Sequence, residues 1–222
     1  TIDEVTDKFS LEVISEPFAD RLAIEIEDYP FAKIKGKVQN EMSFVNEVTI
    51  CEDIIKPILD LIAEKYSNLF VWSHVPYNVD PDEGLKGEPD YLIAPKIKYR
   101  SMALPPLCVI EAKQEKFDEG WAQALAEMVA ASRQGVKVCY ASVTTGDIWM
   151  FGQMESGRYF TKDPRKISAT TDLQWVFDAL NWMFDKANEQ VQPGGLNQPE
   201  WNGVRKMSPS RYFRRRHWHQ RR

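Results

Sequence analysis

Gly87-Glu88-Pro89-Asp90-Tyr91-Leu92-Ile93-Ala94 and Leu107-Cys108-Val109-Ile110-Glu111-Ala112-Lys113 are the two stretches whose reading decides the fold. Each holds a short apolar run bounded by charged or turn residues, which reads as a buried strand. The segment from Pro95 to Pro106 carries three prolines and several charges, so it reads as a connecting loop. Neighbouring strands lie about 4.8 Å apart, and side chains two residues apart on one strand share a face. Glu111 and Lys113 therefore point the same way, and Ala112 points to the other face. With Asp90 beside them, two carboxylates and one ammonium converge on a small volume.

That convergence is electrostatically awkward. Two carboxylates held close repel, and one tends to take up a proton. A divalent cation removes the conflict. Magnesium binds carboxylate oxygens at about 2.0–2.1 Å and keeps waters and substrate phosphate oxygens in its other positions. A lysine beside such a site holds an attacking water or neutralises a phosphate in the transition state. The expected chemistry is metal-assisted attack of water on a phosphodiester, with Mg²⁺ or Mn²⁺ held by Asp90 and Glu111.

Pro89-Asp90 followed by Glu111-Ala112-Lys113 resembles the PD-(D/E)xK nuclease signature. Asn46-Glu47-Val48-Thr49 with Ile54-Ile55-Lys56-Pro57-Ile58-Leu59 resembles the first helix of the N-terminal nuclease domain of type I restriction-enzyme motor subunits. The turn Thr145-Gly146-Asp147 before Trp149 and Phe151 resembles the same domain, as does Trp121-Ala122-Gln123-Ala124. The likeness covers about half the chain, from Asn46 to Phe151. It implies an α/β, restriction-endonuclease-like fold with a mixed central β-sheet flanked by helices. It also implies endonucleolytic cleavage leaving a 5′-phosphate, in prokaryotic defence or repair. The Ala112 carbonyl would complete the ion's protein ligands, and Lys113 would position or polarise the water. Glu47 would hold a second metal or an outer-shell water, with Glu52 and Asp53 as fallbacks. Gln123 would lie near the site; a solvent-facing glutamine is the equal alternative. Trp149 and Phe151 are expected to be structural. The 222 residues contain no motor domain, and the body is acidic. Both departures leave open a silent nucleic-acid-binding or regulatory module of the same fold, acting in a complex. The expected partners are nucleic acid, with DNA the expected substrate, and a protein supplying motor or specificity function.

Length suits one domain with appendages, and 43% hydrophobic residues suffice for a full core. The expected division is a nuclease domain over 1–190, with its motif region at 44–151, and a linker and basic tail over 191–222. No apolar run approaches the ~20 residues that span a bilayer. The opening Thr1-Ile2-Asp3-Glu4 is acidic and shows no signal pattern. Cys51, Cys108 and Cys139 sit in apolar runs without paired spacing, so neither a disulfide framework nor a zinc site is expected. A reducing, cytoplasmic setting follows. Eight of the 28 basic residues fall in 201–222, which holds no acid, leaving 20 basic against 33 acidic residues in 1–200. A body at −13 speaks against a tight autonomous DNA binder. Tyr212, Phe213 and Trp218 among the tail arginines could bind nucleic acid by charge and stacking; a disordered terminus or a cloning remnant reads equally well. No serine or cysteine nucleophile with a histidine partner is visible, His74 being the one histidine in the body, and no P-loop motif occurs.

Along the chain, Asp3 to Phe9 and Glu16 to Leu22 read as short helices. Phe31-Ala32-Lys33-Ile34-Lys35-Gly36-Lys37-Val38 alternates apolar and basic and reads as an edge strand. Phe44 to Tyr66 reads as one long helix bent or broken at Pro57. Leu69 to Trp72 reads as a strand. Asp118 to Arg133 reads as a helix capped by Asp118 and stopped at Gly135. Val136 to Thr144 and Ile148 to Phe151 read as paired strands. Thr171-Asp172-Leu173-Gln174 has the capping-box form and opens a helix to about Asn188.

Overall fold

The apolar runs that carry Asp90 and Glu111 become neighbouring strands in the middle of a sheet. The computed structural model describes residues 1–97, 101–103 and 105–191. The expected linker and basic tail lie outside the described residues. In chain order the helices are α1 (Ile2–Phe9), α2 (Asp28–Val38), α3 (Glu47–Ile50), α4 (Lys56–Ala63), α5 (Phe117–Arg133) and α6 (Ala169–Val191). The strands are β1 (Glu12–Ser15), β2 (Phe70–Ser73), β3 (Tyr77–Asp80), β4 (Leu85–Gly87), β5 (Tyr91–Ala94), β6 (Lys96–Ile97), β7 (Ser101–Met102), β8 (Cys108–Ala112), β9 (Val138–Thr144), β10 (Ile148–Glu155), β11 (Tyr159–Lys162) and β12 (Ile167–Ser168). The main sheet runs β1-β11-β10-β9-β8-β5-β2, with β12 beside β10. It is mixed: β8–β9 and β1–β11 are parallel and the other neighbours antiparallel. β5 and β8 are buried at every position, as continuous apolar runs require when helices cover both faces.

Alternation along β9 assigns those faces. Tyr140 meets Trp182 of α6 with ring centroids 5.8 Å apart. Val143 lies on the opposite face, against Gly120 of α5. The chain is thus a mixed α/β protein whose mixed sheet is flanked by helices. Among the described residues no helix is long and apolar enough to cross a membrane.

Five expectations need correcting. Phe31 to Val38 is the end of α2, not a strand. Ile34 and Val38 are buried and Phe31 packs on the core at a three-to-four residue spacing, which the alternation of Lys33, Lys35 and Lys37 with apolar neighbours obscures in the sequence. Glu16 to Leu22 forms no helix. Asp163 Oδ2 instead accepts the N–H groups of Phe18 and Ala19, each at 3.0 Å, which ties the segment to the chain beyond β11. The long helix begins as a 3₁₀ turn at Glu41–Phe44, continues as α3, passes through a π-helical turn at Cys51–Ile55 and ends as α4. Pro57 lies in the first turn of α4. It has no N–H to give, and its ring would collide with the carbonyl four residues back, so the widened turn accommodates it. Finally, Asp118 stands inside the first turn of α5, where its charge suits the helix dipole, and Lys116 occupies the cap position. At α6 the capping role falls to Asp172, which has non-helical φ/ψ and accepts the Trp175 N–H at 3.0 Å.

Candidate active site

β5 and β8 pair antiparallel with Tyr91 opposite Ile110, so Asp90 stands opposite Glu111. Cross-strand partners share a face. Lys113, two residues past Glu111, leans over both. Its Nζ lies 3.3 Å from Glu111 Oε2 and 4.0 Å from Asp90 Oδ2. The three side chains expected from the sequence to converge are therefore together, at the carboxyl end of β8. Asp90 is fixed by a charge-assisted hydrogen bond: the Ala112 N–H donates to its Oδ2 at 2.8 Å.

The helix carrying Glu47 is tied to this motif. The Tyr91 hydroxyl donates to the Cys51 carbonyl at 3.2 Å, and that carbonyl also accepts the Lys56 N–H of the π turn. Gln114 Nε2 donates to the Val45 carbonyl at 3.0 Å. Glu47 is exposed on the rim, its Oε1 accepting the Gln114 N–H at 3.4 Å, and its charge reaches Lys113. Asp53 faces away, bonded by Lys37 at 2.9 Å and Ser43 at 3.2 Å, and Glu52 lines the same groove beside α2. Gln123 is exposed and faces a neighbouring pocket rather than the carboxylates.

One acid at the site carries no motif. Glu127 of α5 sits beside Glu111, and the buried oxygens Glu111 Oε1 and Glu127 Oε2 receive no hydrogen bond from any other group among the described residues. Burial, and then the Asp90 charge, push Glu111 up to about 7, with Lys113 opposing. Burial, and then the Glu111 charge and hydrogen bond, raise Glu127 well above the ordinary carboxyl range. Both shifts favour a proton held between the two carboxyl groups. Burial works against the charge on Lys113, but Glu111, Asp90 and Glu47 outweigh it and raise its pKa. Glu127 could be suspected from the sequence as the one acid past the first turn of an alanine-rich helix, four residues after Gln123. His74, in the left-handed region at φ 48°, places Nδ1 3.9 Å from Asp90 Oδ1.

The donor set suits a hard divalent ion that keeps open positions. Apart from Glu127, no group bonds Glu111 Oε1, and Asp90 Oδ1 accepts no hydrogen bond, among the described residues. No group of three or more His, Cys, Asp or Glu side chains is arranged to hold a metal among those residues. Two carboxylates with room for water and phosphate oxygens match magnesium better than an all-protein cage would. Burial pushes the Cys51 thiol up to about 11 and also raises Cys108 and Cys139, so no cysteine is poised as a thiolate nucleophile.

Gly120 sets how closely α5 approaches this cluster. A Cβ there would stand 2.6 Å from Val143 Cγ1 and 2.9 Å from Lys113 Cγ. Gly120→Ala is expected to cost about 1–3 kcal/mol by overpacking and to displace the Lys113 stem. Thermal unfolding measures the first effect, and any activity that needs Lys113 falls with it.

A scan against models of known protein families finds no match. A search of curated proteins finds none either.

Proposed function

We propose that this chain is a Mg²⁺- or Mn²⁺-dependent nuclease that hydrolyses phosphodiester bonds in DNA, on a restriction-endonuclease-like fold. The observation carrying this reading is the in-register meeting of Asp90 and Glu111 with Lys113 Nζ between them, within 4.0 Å of both. Asp90 and Glu111, with the Ala112 carbonyl, would hold the ion. Once bound, the ion would supply Lewis-acid polarisation of the phosphate and neutralise developing charge. Lys113 orients the attacking water and places a fixed positive charge where the transition state gathers negative charge. Glu47, on the rim, is positioned to hold an outer-shell water. Glu127 receives the proton that Glu111 gives up when an ion replaces it. A cytoplasmic setting in defence or repair, beside a partner protein with motor or specificity function, fits this chemistry.

A second reading has its own support. Glu111 and Glu127 can neutralise each other by sharing a proton, so the cluster can be stable without an ion or turnover. The chain would then be a nucleic-acid-binding or regulatory module. Incubation with plasmid and single-stranded DNA, with and without Mn²⁺, separates the two. Asp90→Asn is the informative variant, because an amide oxygen still accepts the Ala112 N–H. Cleavage that needs Mn²⁺ and is lost in Asp90→Asn is the expected result. No cleavage by the native chain, or equal cleavage by the variant, selects the module.

A further inference from the structure

β2 ends beside the carboxylates, on a histidine. Ser73 pairs with Tyr91, so the next residue, His74, comes level with Asp90, and its N–H donates to the Asp90 carbonyl at 3.1 Å. There the backbone enters the left-handed region, at φ 48°. Few residues other than glycine adopt it, and histidine is among those that do. Such a conformation persists where its surroundings impose it, and it recurs at functional sites. The ring lies against Tyr91, with centroids 6.0 Å apart, and holds Nδ1 3.9 Å from Asp90 Oδ1. Neither ring nitrogen makes a hydrogen bond among the described residues.

The two oxygens of Asp90 therefore have different surroundings. Oδ2 accepts the Ala112 N–H and lies 4.0 Å from Lys113 Nζ, whereas Oδ1 faces the imidazole. Ligands at right angles on an ion with bonds of about 2.1 Å stand about 3.0 Å apart, and opposite ligands about 4.2 Å apart. The separation of Nδ1 and Oδ1 falls between these. The acidic and imidazole side chains described are not gathered around an ion as they stand, so the ring has to turn. Its side chain is 53% exposed, and it can do so without displacing a packed neighbour. We infer that His74 Nδ1 is a further ligand of the ion held by Asp90, and that this nitrogen makes the site prefer Mn²⁺ to Mg²⁺. The inference rests on the reading of Asp90 and Glu111 as metal ligands in a nuclease. Magnesium takes oxygen ligands and gives up water reluctantly, whereas imidazole suits first-row transition ions.

Pulsed electron paramagnetic resonance of the full chain loaded with Mn²⁺ tests this, because a ligating imidazole couples its nitrogen nucleus to the unpaired electrons. Mn²⁺ and Mg²⁺ affinities from calorimetry and cleavage of plasmid DNA are measured alongside. His74→Gly removes the ring at a φ that glycine adopts freely. His74→Asn keeps the left-handed backbone and offers an oxygen near where Nδ1 stood. The expected result is a nitrogen coupling in the native chain that is absent from both variants and from Asp90→Asn. Losing a partner outside the ligand shell already costs about 10–100-fold in metal affinity, so His74→Gly should weaken Mn²⁺ binding at least about tenfold. Mg²⁺ binding should weaken less than about threefold, since that ion draws on oxygen ligands. His74→Asn should retain Mg²⁺ binding and lose the preference for Mn²⁺. No nitrogen coupling in the native chain, a coupling that survives His74→Gly, or equal Mn²⁺ affinity in the native chain and His74→Gly overturns the assignment. Mn²⁺-dependent cleavage without the coupling removes His74 from the site and leaves the nuclease reading. Coupling without cleavage keeps the ligand and removes the nuclease reading.

Discussion

Lys113→Met is expected to lower Mn²⁺-dependent cleavage by about 10²–10³-fold, the usual cost of removing one preorganised charge from a transition state. Methionine keeps the length and much of the packing of the lysine stem, so the contact with Gly120 survives. What is lost is the ammonium 3.3 Å from Glu111 and 4.0 Å from Asp90. Leaving a buried charge without its partner costs about 3–5 kcal/mol if the charge persists. Here it does not persist, because Glu111 already stands at about 7 and takes up a proton once the lysine is gone. The variant should therefore fold with a modest loss in thermal stability and bind Mn²⁺ more weakly at neutral pH. Cleavage rates and unfolding curves taken together check this. A variant that cleaves as the native chain does would remove Lys113 from the chemistry.

The second large effect is in the dependence of stability on pH. Glu111 rises from an ordinary 4.5 to about 7 in the folded chain, and burial and Glu111 also raise Glu127 well above the ordinary carboxyl range. A folded state that binds more protons than the unfolded one loses stability as pH increases. The metal-free protein should thus be most stable below about pH 4.5 as far as these two groups are concerned. It should lose on the order of 1–3 kcal/mol as pH climbs through about 7. Mn²⁺ takes the proton's place on Glu111, so it should restore stability chiefly at the upper end of that window. Glu127→Gln removes one of the two titrating acids while keeping a hydrogen bond to Glu111, and it should flatten the slope. Denaturant unfolding from pH 4 to pH 8, with EDTA or with Mn²⁺, reads all three. A metal-free stability that rises with pH across this range would contradict the proton-sharing pair.

Much of the frame was legible because burial leaves a mark in composition. The runs Tyr91 to Ala94 and Leu107 to Ile110 are apolar throughout, which a strand covered on both faces needs, and their charged ends meet because antiparallel register brings Asp90 opposite Glu111. α2 was misread because Phe31, Ile34 and Val38 satisfy a helical period while the intervening lysines satisfy an alternating one. Over eight residues the two patterns cannot be told apart. Asp28 in its first turn was the available cue. The segment near Phe18 was misread for a different reason. Its conformation is imposed by Asp163, 145 residues away, and no local pattern records that contact. The Pro57 break was expected, but its form, a π turn whose Cys51 carbonyl also receives the Tyr91 hydroxyl, depends on the sheet it packs against. Glu127 carries no signal of its own, because an acid on a helix looks like part of a solvated face. Only the packing of α5 on β8 turns it into a partner for Glu111. Gln123 shares the side of α5 that lines the neighbouring pocket, so the helix period that brings it near the site also holds it off the carboxylates.

The most direct measurement is anomalous scattering from a crystal soaked in Mn²⁺. The expected result is a peak between the carboxylates of Asp90 and Glu111, at a coordination distance of about 2.0–2.2 Å from an oxygen of each, that disappears in Asp90→Asn. Density for Mn²⁺ only elsewhere on the chain, or none with Glu111 still hydrogen-bonded to Glu127, would contradict the account.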